Sequence, residues 1–204
     1  MAVSKGAEES VIKKLNFKEN DIKVIPNMID ANEIIEKSKQ NVNVIKNPKH
    51  YNLVTVGRIC HQKGYDILID LIKQTNNQEL DLYIIGDGED YNKIKKQIEN
   101  YNLNNVYLLG KTNNPFMYMK QMDGFILTSR YEGQGMVILE AKVLGLDIFI
   151  PKHLEKYVEN IKGYTNLITV LKNLNKDNKK QKQIDLLEEY NAEIVQKIYG
   201  LLDK

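Results

Sequence analysis

The chain has 204 residues, of which 42% are hydrophobic and 27% are charged, a composition typical of one globular domain with a full core. Its formal net charge of +2 comes from acids and bases in near balance along the chain, so we expect no nucleic acid partner. The single cysteine, Cys60, excludes an internal disulfide framework and favours a reducing, cytoplasmic setting. No apolar run is long enough to cross a bilayer, so we expect no transmembrane segment.

The first forty residues predict short elements ahead of the main body of the chain. EESVIKKLNF (8–17) predicts a helix, DIKVIPN (21–27) a strand, and DANEIIEKSKQ (30–40) a linker or helix. At the other end, QKQIDLLEEYNAEIVQKIYGLLDK (181–204) predicts a long amphipathic helix or a pair of helices. We interpret both ends as helical appendages to the central domain.

Between these ends, apolar strand-like runs alternate with longer segments of helical period. The predicted strands are YNLVTVGRI (51–59), LDLYIIGDG (80–88), NVYLLG (105–110), DGFILTS (123–129) and DIFIP (147–151). The predicted helices are GYDILIDLIKQT (64–75), EDYNKIKKQIENYNL (89–103), PFMYMKQM (115–122) and MVILEAKVLG (136–145). This alternation predicts an α/β fold, a Rossmann-like doubly wound parallel sheet in a single domain.

Three loops follow predicted strands, at the edge where open α/β sheets bind ligands. In GRICHQKG, Gly57 allows a close backbone turn, and Arg58 and Lys63 are either a diphosphate clamp or two solvated cations. In IIGDGED, Gly86 begins a G-x-G that lacks a third glycine, so a strand-ending turn is favoured over a phosphate loop. In LLGKTNN, the Gly110–Lys111 backbone could face a base, although the residues alone do not indicate one.

The fourth loop, in YEGQGMVILEA (131–141), contains two glutamates separated by glycines and an apolar run. Gly133 and Gly135 expose backbone N–H groups at a helix start, which favours a phosphate or sugar hydroxyls. In a continuous helix the two glutamates would lie roughly 12 Å apart, too far for a pair of glycosidase carboxylates. We therefore interpret Glu132 and Glu140 as groups that hold distant parts of one ligand. The alternative is a first-turn acid and a buried helix glutamate, although an unpaired buried carboxylate is costly.

The chain resembles the C-terminal, donor-binding half of a GT-B glycosyltransferase, close to glycosyltransferase family 4. The resemblance runs from IKVIPNMID to about Leu171 and is carried by VGRICHQKGYDILI, LYIIGDG, VYLLG and FILTSRYEGQGMVILEAKVLG. Its most specific part is the pair of glutamates with seven residues between them, the first followed by Gly-x-Gly. It implies a retaining, metal-independent glycosyltransferase in cell-surface polysaccharide or glycolipid synthesis, with no cofactor. The donor it implies is a UDP-sugar or, as the alternative, a GDP-sugar.

The resemblance assigns roles to individual residues. It implies that Arg58 and Lys63 hold the donor diphosphate and that Glu132 binds the sugar, and these three are the predicted catalytic residues. In the same way, Glu140 would bind the ribose hydroxyls. The predicted donor-binding residues are Gly57, Gly86, Gly110, Lys111, Gly133, Gln134, Gly135, Met136, Val137 and Glu140. No metal site is expected, since no His, Cys or Asp cluster has ligand spacing. The stretch IPKHLEKYVENIKG departs from the family pattern, so sugar contacts beyond Pro151 are not assigned.

The resemblance also implies boundaries and partners. Residues 1–20 would be the end of an N-terminal domain, 21–172 the nucleotide-sugar domain, and 173–204 a C-terminal helical segment. We expect the acceptor-binding N-terminal domain to be absent from this chain, and the chain alone to be inactive. Peripheral membrane association is compatible with the sequence. Two alternatives stay open, namely a non-enzymatic Rossmann-like partner module and a nucleotide-sugar epimerase-like domain, although no acid/base histidine and carboxylate can be placed for the latter.

Overall fold

Five parallel strands form one sheet in the computed structural model of the chain, which describes residues 1–16, 18, 21–43, 46–158, 160–176, 191 and 194–196. The strands are β1 (Tyr51–Val56), β2 (Leu80–Ile85), β3 (Val106–Gly110), β4 (Gly124–Ile126) and β5 (Asp147–Phe149). Their order across the sheet is β3-β2-β1-β4-β5, so the chain reverses its direction of winding between β1 and β4. The predicted Rossmann-like, doubly wound fold is confirmed.

Helices connect the strands and cover the sheet. They are α1 (Lys5–Leu15), α2 (Ala31–Ser38), α3 (Tyr65–Thr75), α4 (Tyr91–Asn100), α5 (Phe116–Met119), α6 (Met136–Val143) and α7 (Leu167–Lys172), with short 3-10 helices at His61–Lys63 and Lys152–Tyr157. The predicted helices between the strands are all present, while α7 was not predicted. Except for β3, which ends at Gly110 as predicted, the predicted strands were too long, because their last residues form the loops at the carboxyl edge of the sheet.

The central part of the sheet is buried on both faces, which explains why β1 and β2 are mainly apolar, whereas the edge strand β3 is partly exposed. All six residues of β2 are buried. Along β1, successive side chains point to opposite faces, so Leu53 and Val54 belong to different hydrophobic clusters. Leu53 packs in the cluster that includes Leu68 of α3, and Val54 in the cluster that includes Ile138 of α6. The sheet therefore holds the loops at its carboxyl edge on a rigid base.

The strand predicted over residues 21–27 is wrong. Val24 makes only an isolated parallel bridge, to Ala2, with the Ala2 amide donating to the Lys23 carbonyl at 2.9 Å. The pairing stops there because Ser4 begins α1, accepting a hydrogen bond from the Ala7 amide through its side chain. The alternation of apolar residues in DIKVIPN thus has no neighbouring strand to pair with over its length.

The two ends of the described chain pack against the central sheet domain. Gly6 of α1 lies against the ring of Tyr157, so close that a Cβ at position 6 would be 2.2 Å from Cε1 of that ring. The predicted helical segment 181–204 lies outside the described residues except for 191 and 194–196, where Ile194 is buried. Across the described ranges, no helix is both long enough and apolar enough to cross a membrane.

Candidate functional site

The loops that follow β1, β2 and β3 enclose a cavity of ≈ 450 Å³, here called the β1–β3 cavity. Its walls include four of the predicted site residues, Gly57, Arg58, Gly86 and Lys111. Gly110, the last residue of β3, adjoins Lys111, and its carbonyl accepts a hydrogen bond from the Gly86 amide at 2.8 Å. The structure thus brings together predicted residues that are more than fifty positions apart in the chain.

Glycine is required at position 86 by the packing of two loops. A Cβ at Gly86 would lie 1.9 Å from the carbonyl oxygen of Gly57, a distance that no side chain can occupy. The Gly57 amide also donates to the Ile85 carbonyl at 3.0 Å. Backbone therefore contacts backbone at this side of the cavity, which accounts for the glycine without a phosphate ligand.

Arg58 extends into solvent and pairs with an acid that the sequence did not indicate. Its Nε donates to Oε2 of Glu89 at 2.9 Å, and the two side chains are 71% and 55% exposed. Exposed ion pairs of this kind contribute about 0–1 kcal/mol. Arg58 can therefore exchange Glu89 for an anionic ligand at little cost.

Lys63 and Glu132 form a buried ion pair. The Nζ of Lys63 lies 2.8 Å from Oε1 and 3.0 Å from Oε2 of Glu132, and the side chains are only 19% and 6% exposed. The Ser129 hydroxyl donates to Glu132 Oε1 at 2.5 Å, and a ring nitrogen of His153 lies 2.9 Å from the Ser129 carbonyl. The predicted diphosphate-binding and sugar-binding residues are therefore direct neighbours. Ser129 and His153 support them, and no motif in the sequence identified either residue.

The loop over residues 132–135 is held by the N-terminal part of the chain. The Ser4 hydroxyl donates to the carbonyl of Gly133. The side chain of Gln134 is buried and accepts from the Asn27 amide at 2.7 Å, while its Nε2 donates to the Asn27 carbonyl at 3.0 Å. The sequence analysis named Gln134 only as a donor-binding residue, so this side-chain contact with Asn27 was not predicted.

Gly135, the residue before α6, has a left-handed backbone conformation. Its φ is +68°, and a Cβ there would lie 2.9 Å from Cγ2 of Val158, so glycine is required by conformation and by space. The Ile138 amide donates back to the Gly135 carbonyl at 2.8 Å, whereas the amides of Met136 and Val137 have no acceptor among the described residues. Two N–H groups at the positive end of α6 are thus available to an anion.

Glu140 lies on α6, half-buried, and does not line the β1–β3 cavity. Burial raises the pKa of its carboxyl group above the usual range. Its carboxylate makes no hydrogen bond or ion pair with the described residues, so its oxygen atoms can accept hydrogen bonds from a ligand.

Within the described ranges, no group of three or more His, Cys, Asp or Glu side chains could hold a metal ion. Cations and backbone amides are the electrophilic groups that these residues offer to an anionic ligand. They come from Arg58, Lys63 and the N-terminus of α6.

A sequence model of the family described as "Glycosyl transferases group 1" matches residues 35–154. The chain is 34% identical over 151 residues to the uncharacterized glycosyltransferase MJ1059 of Methanocaldococcus jannaschii, covering 69% of this chain and 37% of that protein. It is 33% identical over 95 residues to the amylovoran biosynthesis glycosyltransferase AmsD of Erwinia amylovora, covering 46% and 27%. The chain therefore matches well under two thirds of the length of each relative.

Solved structures share the fold. The crystal structure of Anabaena Alr3699/HepE in complex with UDP and glucose superimposes with a TM-score of 0.72 and 22% sequence identity. The match covers 100% of this chain and 62% of that chain. The parallel sheet and its flanking helices thus correspond to part of a larger GT-B structure.

Proposed function

The chain belongs to the family of group 1 glycosyl transferases, and from this premise we propose that its strand-end loops bind the nucleotide-sugar donor of a glycosyl transfer. We further propose that the transfer is retaining and independent of metal, and that it contributes to a cell-surface polysaccharide or glycolipid. The similarity to AmsD, an amylovoran biosynthesis glycosyltransferase, supports the last point. The fold shared with HepE, which was crystallised with UDP and glucose, supports UDP as the nucleotide.

One observation carries the proposal: the buried pair of Lys63 and Glu132 lies next to the N-terminus of α6. Lys63 Nζ is 2.8 Å from Glu132, and the amides of Met136 and Val137 at the start of the helix lack acceptors among the described residues. A diphosphate placed here meets an ammonium group and two amides, all of which stabilise negative charge. Glu132 then lies where the sugar follows the diphosphate and can accept hydrogen bonds from sugar hydroxyls.

The other predicted residues extend this arrangement along the donor. The base occupies the β1–β3 cavity, whose walls include Lys111, and Arg58 at the cavity mouth binds the diphosphate. Glu140 accepts hydrogen bonds from the ribose hydroxyls, which satisfies a carboxylate that has no partner among the described residues. As the sugar leaves the diphosphate, charge develops on the phosphate oxygens, and the cations and amides stabilise it.

Transfer also requires an acceptor held against the donor. The chain spans 37% of MJ1059 and 27% of AmsD, so we propose that an acceptor-binding half outside these 204 residues completes the enzyme. On this proposal the 204-residue chain binds the donor without transferring it.

Calorimetric titration with UDP and with GDP tests the proposal. We expect saturable binding of UDP, weakened about tenfold by Arg58→Ala, because a hydrogen bond to a charged group is lost. Lys95→Ala, which removes one exposed cation from α4, is the matched control and leaves the affinity unchanged. If neither nucleotide binds saturably to the wild-type chain, or if both variants behave alike, the proposed function is wrong.

A further inference from the structure

A second cavity, of ≈ 620 Å³, lies between the start of α1 and residues 155–158 and 160–162, and it shares no lining residue with the β1–β3 cavity. We call it the Tyr157 cleft. Ser4, Lys5, Gln134 and Lys162 contribute to its walls together with Tyr157. Gln134 also belongs to the loop over residues 132–135, so the cleft adjoins the region proposed to hold the donor sugar.

Tyr157 supplies a polar group that the protein leaves unused. Its side chain is only 6% exposed and packs under Gly6. Its hydroxyl group makes no hydrogen bond with any described residue. Within the described ranges, the only fully buried side-chain atom without a partner is Oδ1 of Asn52, so the Tyr157 hydroxyl is accessible, and the cleft is the space it reaches. The hydroxyl group of Tyr157 is therefore available to a ligand in the cleft.

Lysine side chains give the cleft positive charge. Lys5 and Lys162 make no ion pair within the part of the chain that the structure describes. Among the described residues of the cleft wall the acid is Glu155, which is bound by Lys152 at 2.6 Å and by the Gly163 amide at 2.7 Å. These contacts, together with the charges of Lys152 and Lys162, hold the pKa of the Glu155 carboxyl group below its usual range. The ammonium group of Lys5 and, shared with Glu155, that of Lys162 therefore remain for an anion.

The amino end of α1 also favours an anion in the cleft. This helix has 11 residues, and Ser4 at its start accepts from the Ala7 amide. The amides of Lys5 and Gly6 donate to no described residue. Unpaired amides at the positive end of a helix bind the oxygen atoms of a phosphate group. Helix amides, a tyrosine hydroxyl and two ammonium groups thus surround one cavity.

We propose that the Tyr157 cleft binds a phosphate group of a second ligand, distinct from the nucleotide-sugar. This inference rests on the proposed function, and it adds that the acceptor, which the half outside these 204 residues binds, also places a phosphate group in this cleft. Ser4 lines the cleft and also holds the carbonyl of Gly133, and Gln134 lines the cleft directly. A phosphate bound there places the remainder of the acceptor beside the loop over residues 132–135, where its hydroxyl group meets the donor sugar.

Two probes distinguish the sources of the phosphate. Glycerol 3-phosphate represents a polyol phosphate and geranyl diphosphate a lipid diphosphate, and each is titrated calorimetrically into the chain both without UDP and with UDP in excess. We expect one of them to bind. Lys5→Ala/Lys162→Ala weakens this binding by about tenfold or more, and Tyr157→Phe weakens it severalfold by removing only the hydroxyl group. Lys13→Ala/Lys14→Ala, which removes the same charge from the other end of α1, leaves it unchanged.

The variants also separate this inference from the proposed function. UDP affinity is expected to be the same in Tyr157→Phe and in the wild type, because Tyr157 lines the cleft and is not among the residues proposed to bind the donor. Phosphate binding that persists without any UDP binding would support the cleft and contradict the nucleotide-sugar proposal. The inference is overturned if neither probe binds, or if Tyr157→Phe and Lys5→Ala/Lys162→Ala bind as the Lys13/Lys14 control does.

Discussion

The side-chain amide of Gln134 forms two hydrogen bonds with the backbone of Asn27, at 2.7 Å to the amide nitrogen and 3.0 Å to the carbonyl oxygen. It therefore binds Asn27 as a neighbouring strand would, although 107 positions separate the two residues. Through this contact the loop over residues 132–135 is fastened to the segment that leads from α1 to α2. The position of the proposed sugar-binding loop thus depends on a segment far from it in the chain.

Removing the amide of Gln134 should loosen this connection. Gln134→Ala leaves the Asn27 amide without its acceptor, at an expected cost of about 1–3 kcal/mol in the free energy of unfolding. Urea denaturation measures the loss, and hydrogen exchange should show faster exchange at the Asn27 amide. Gln78→Ala, at an exposed position, is the control and should change stability by no more than ~0.5 kcal/mol. Equal stability of the two variants would show that the contact does not hold the loop.

Replacing only Lys63 in its pair with Glu132 should lower the free energy of unfolding, and replacing Glu132 as well should restore much of it. Lys63→Met leaves a buried carboxylate with only the Ser129 hydroxyl, and we expect a loss of about 3–5 kcal/mol in the free energy of unfolding. Adding Glu132→Gln should restore much of this stability, because no buried charge then remains unpaired. A double-mutant cycle measured by urea denaturation tests the coupling. Additive losses would contradict it.

Two glycines of the same loop should respond differently to alanine. Gly135→Ala forces a side chain into a left-handed conformation and against Val158, with an expected loss of about 1–2 kcal/mol. Gly133→Ala meets no atom within 4 Å and should leave stability nearly unchanged. Because Gly135 sets the direction of the α6 amides, its substitution should also weaken UDP binding in calorimetry. The expectation fails if Gly133→Ala is the more damaging of the two.

Glu140 should make stability depend on pH in a specific direction. Its pKa is raised in the folded state because burial disfavours the carboxylate. The folded state therefore binds the proton more tightly than the unfolded state, and stability decreases as the pH rises from the ordinary glutamate pKa through the raised one. Glu140→Gln should thus be more stable than the wild type at pH 7, and this advantage should disappear in more acidic solution. Thermal unfolding across this pH range measures it.

The same substitution separates a structural role from a functional one. If Glu140 binds the ribose, Glu140→Gln should weaken UDP binding while it raises stability at neutral pH, because the amide is a poorer acceptor than the carboxylate. Stabilisation with unchanged UDP affinity would show that Glu140 does not contact the donor.

Elements of the sheet could be predicted from the sequence because their signals are local. Strands such as β2 are apolar except for one residue, Asp81, and are followed by a glycine, and helices such as α3 repeat with a period of 3.6 residues. The strand predicted over residues 21–27 failed because strand formation needs a partner, and its neighbour turns into α1 at Ser4. The local sequence pattern predicts whether a segment is a helix or a strand, but whether a strand pairs with another depends on residues distant in the chain.

The part of the candidate site that could be predicted is the position of its residues in loops that follow the strands. Arg58, Lys63 and Glu132 lie at the carboxyl edge as expected, because parallel strands bring their ends together. Their partners could not be predicted. Glu89 reaches Arg58 from another loop, and Ser129 binds Glu132 through a turn whose geometry no spacing rule describes. The proposed roles of these residues stay predictions until a donor is titrated.

The contact between Gly57 and Gly86 bears on inhibition. Both residues line the β1–β3 cavity, and their backbones touch so closely that a side chain at position 86 would lie 1.9 Å from the Gly57 carbonyl. An inhibitor that rests on this surface contacts peptide groups instead of side chains. Resistance usually arises by exchanging a residue that the drug contacts, and at position 86 any side chain would push the two loops apart. A compound anchored on this backbone surface should therefore select few resistant variants.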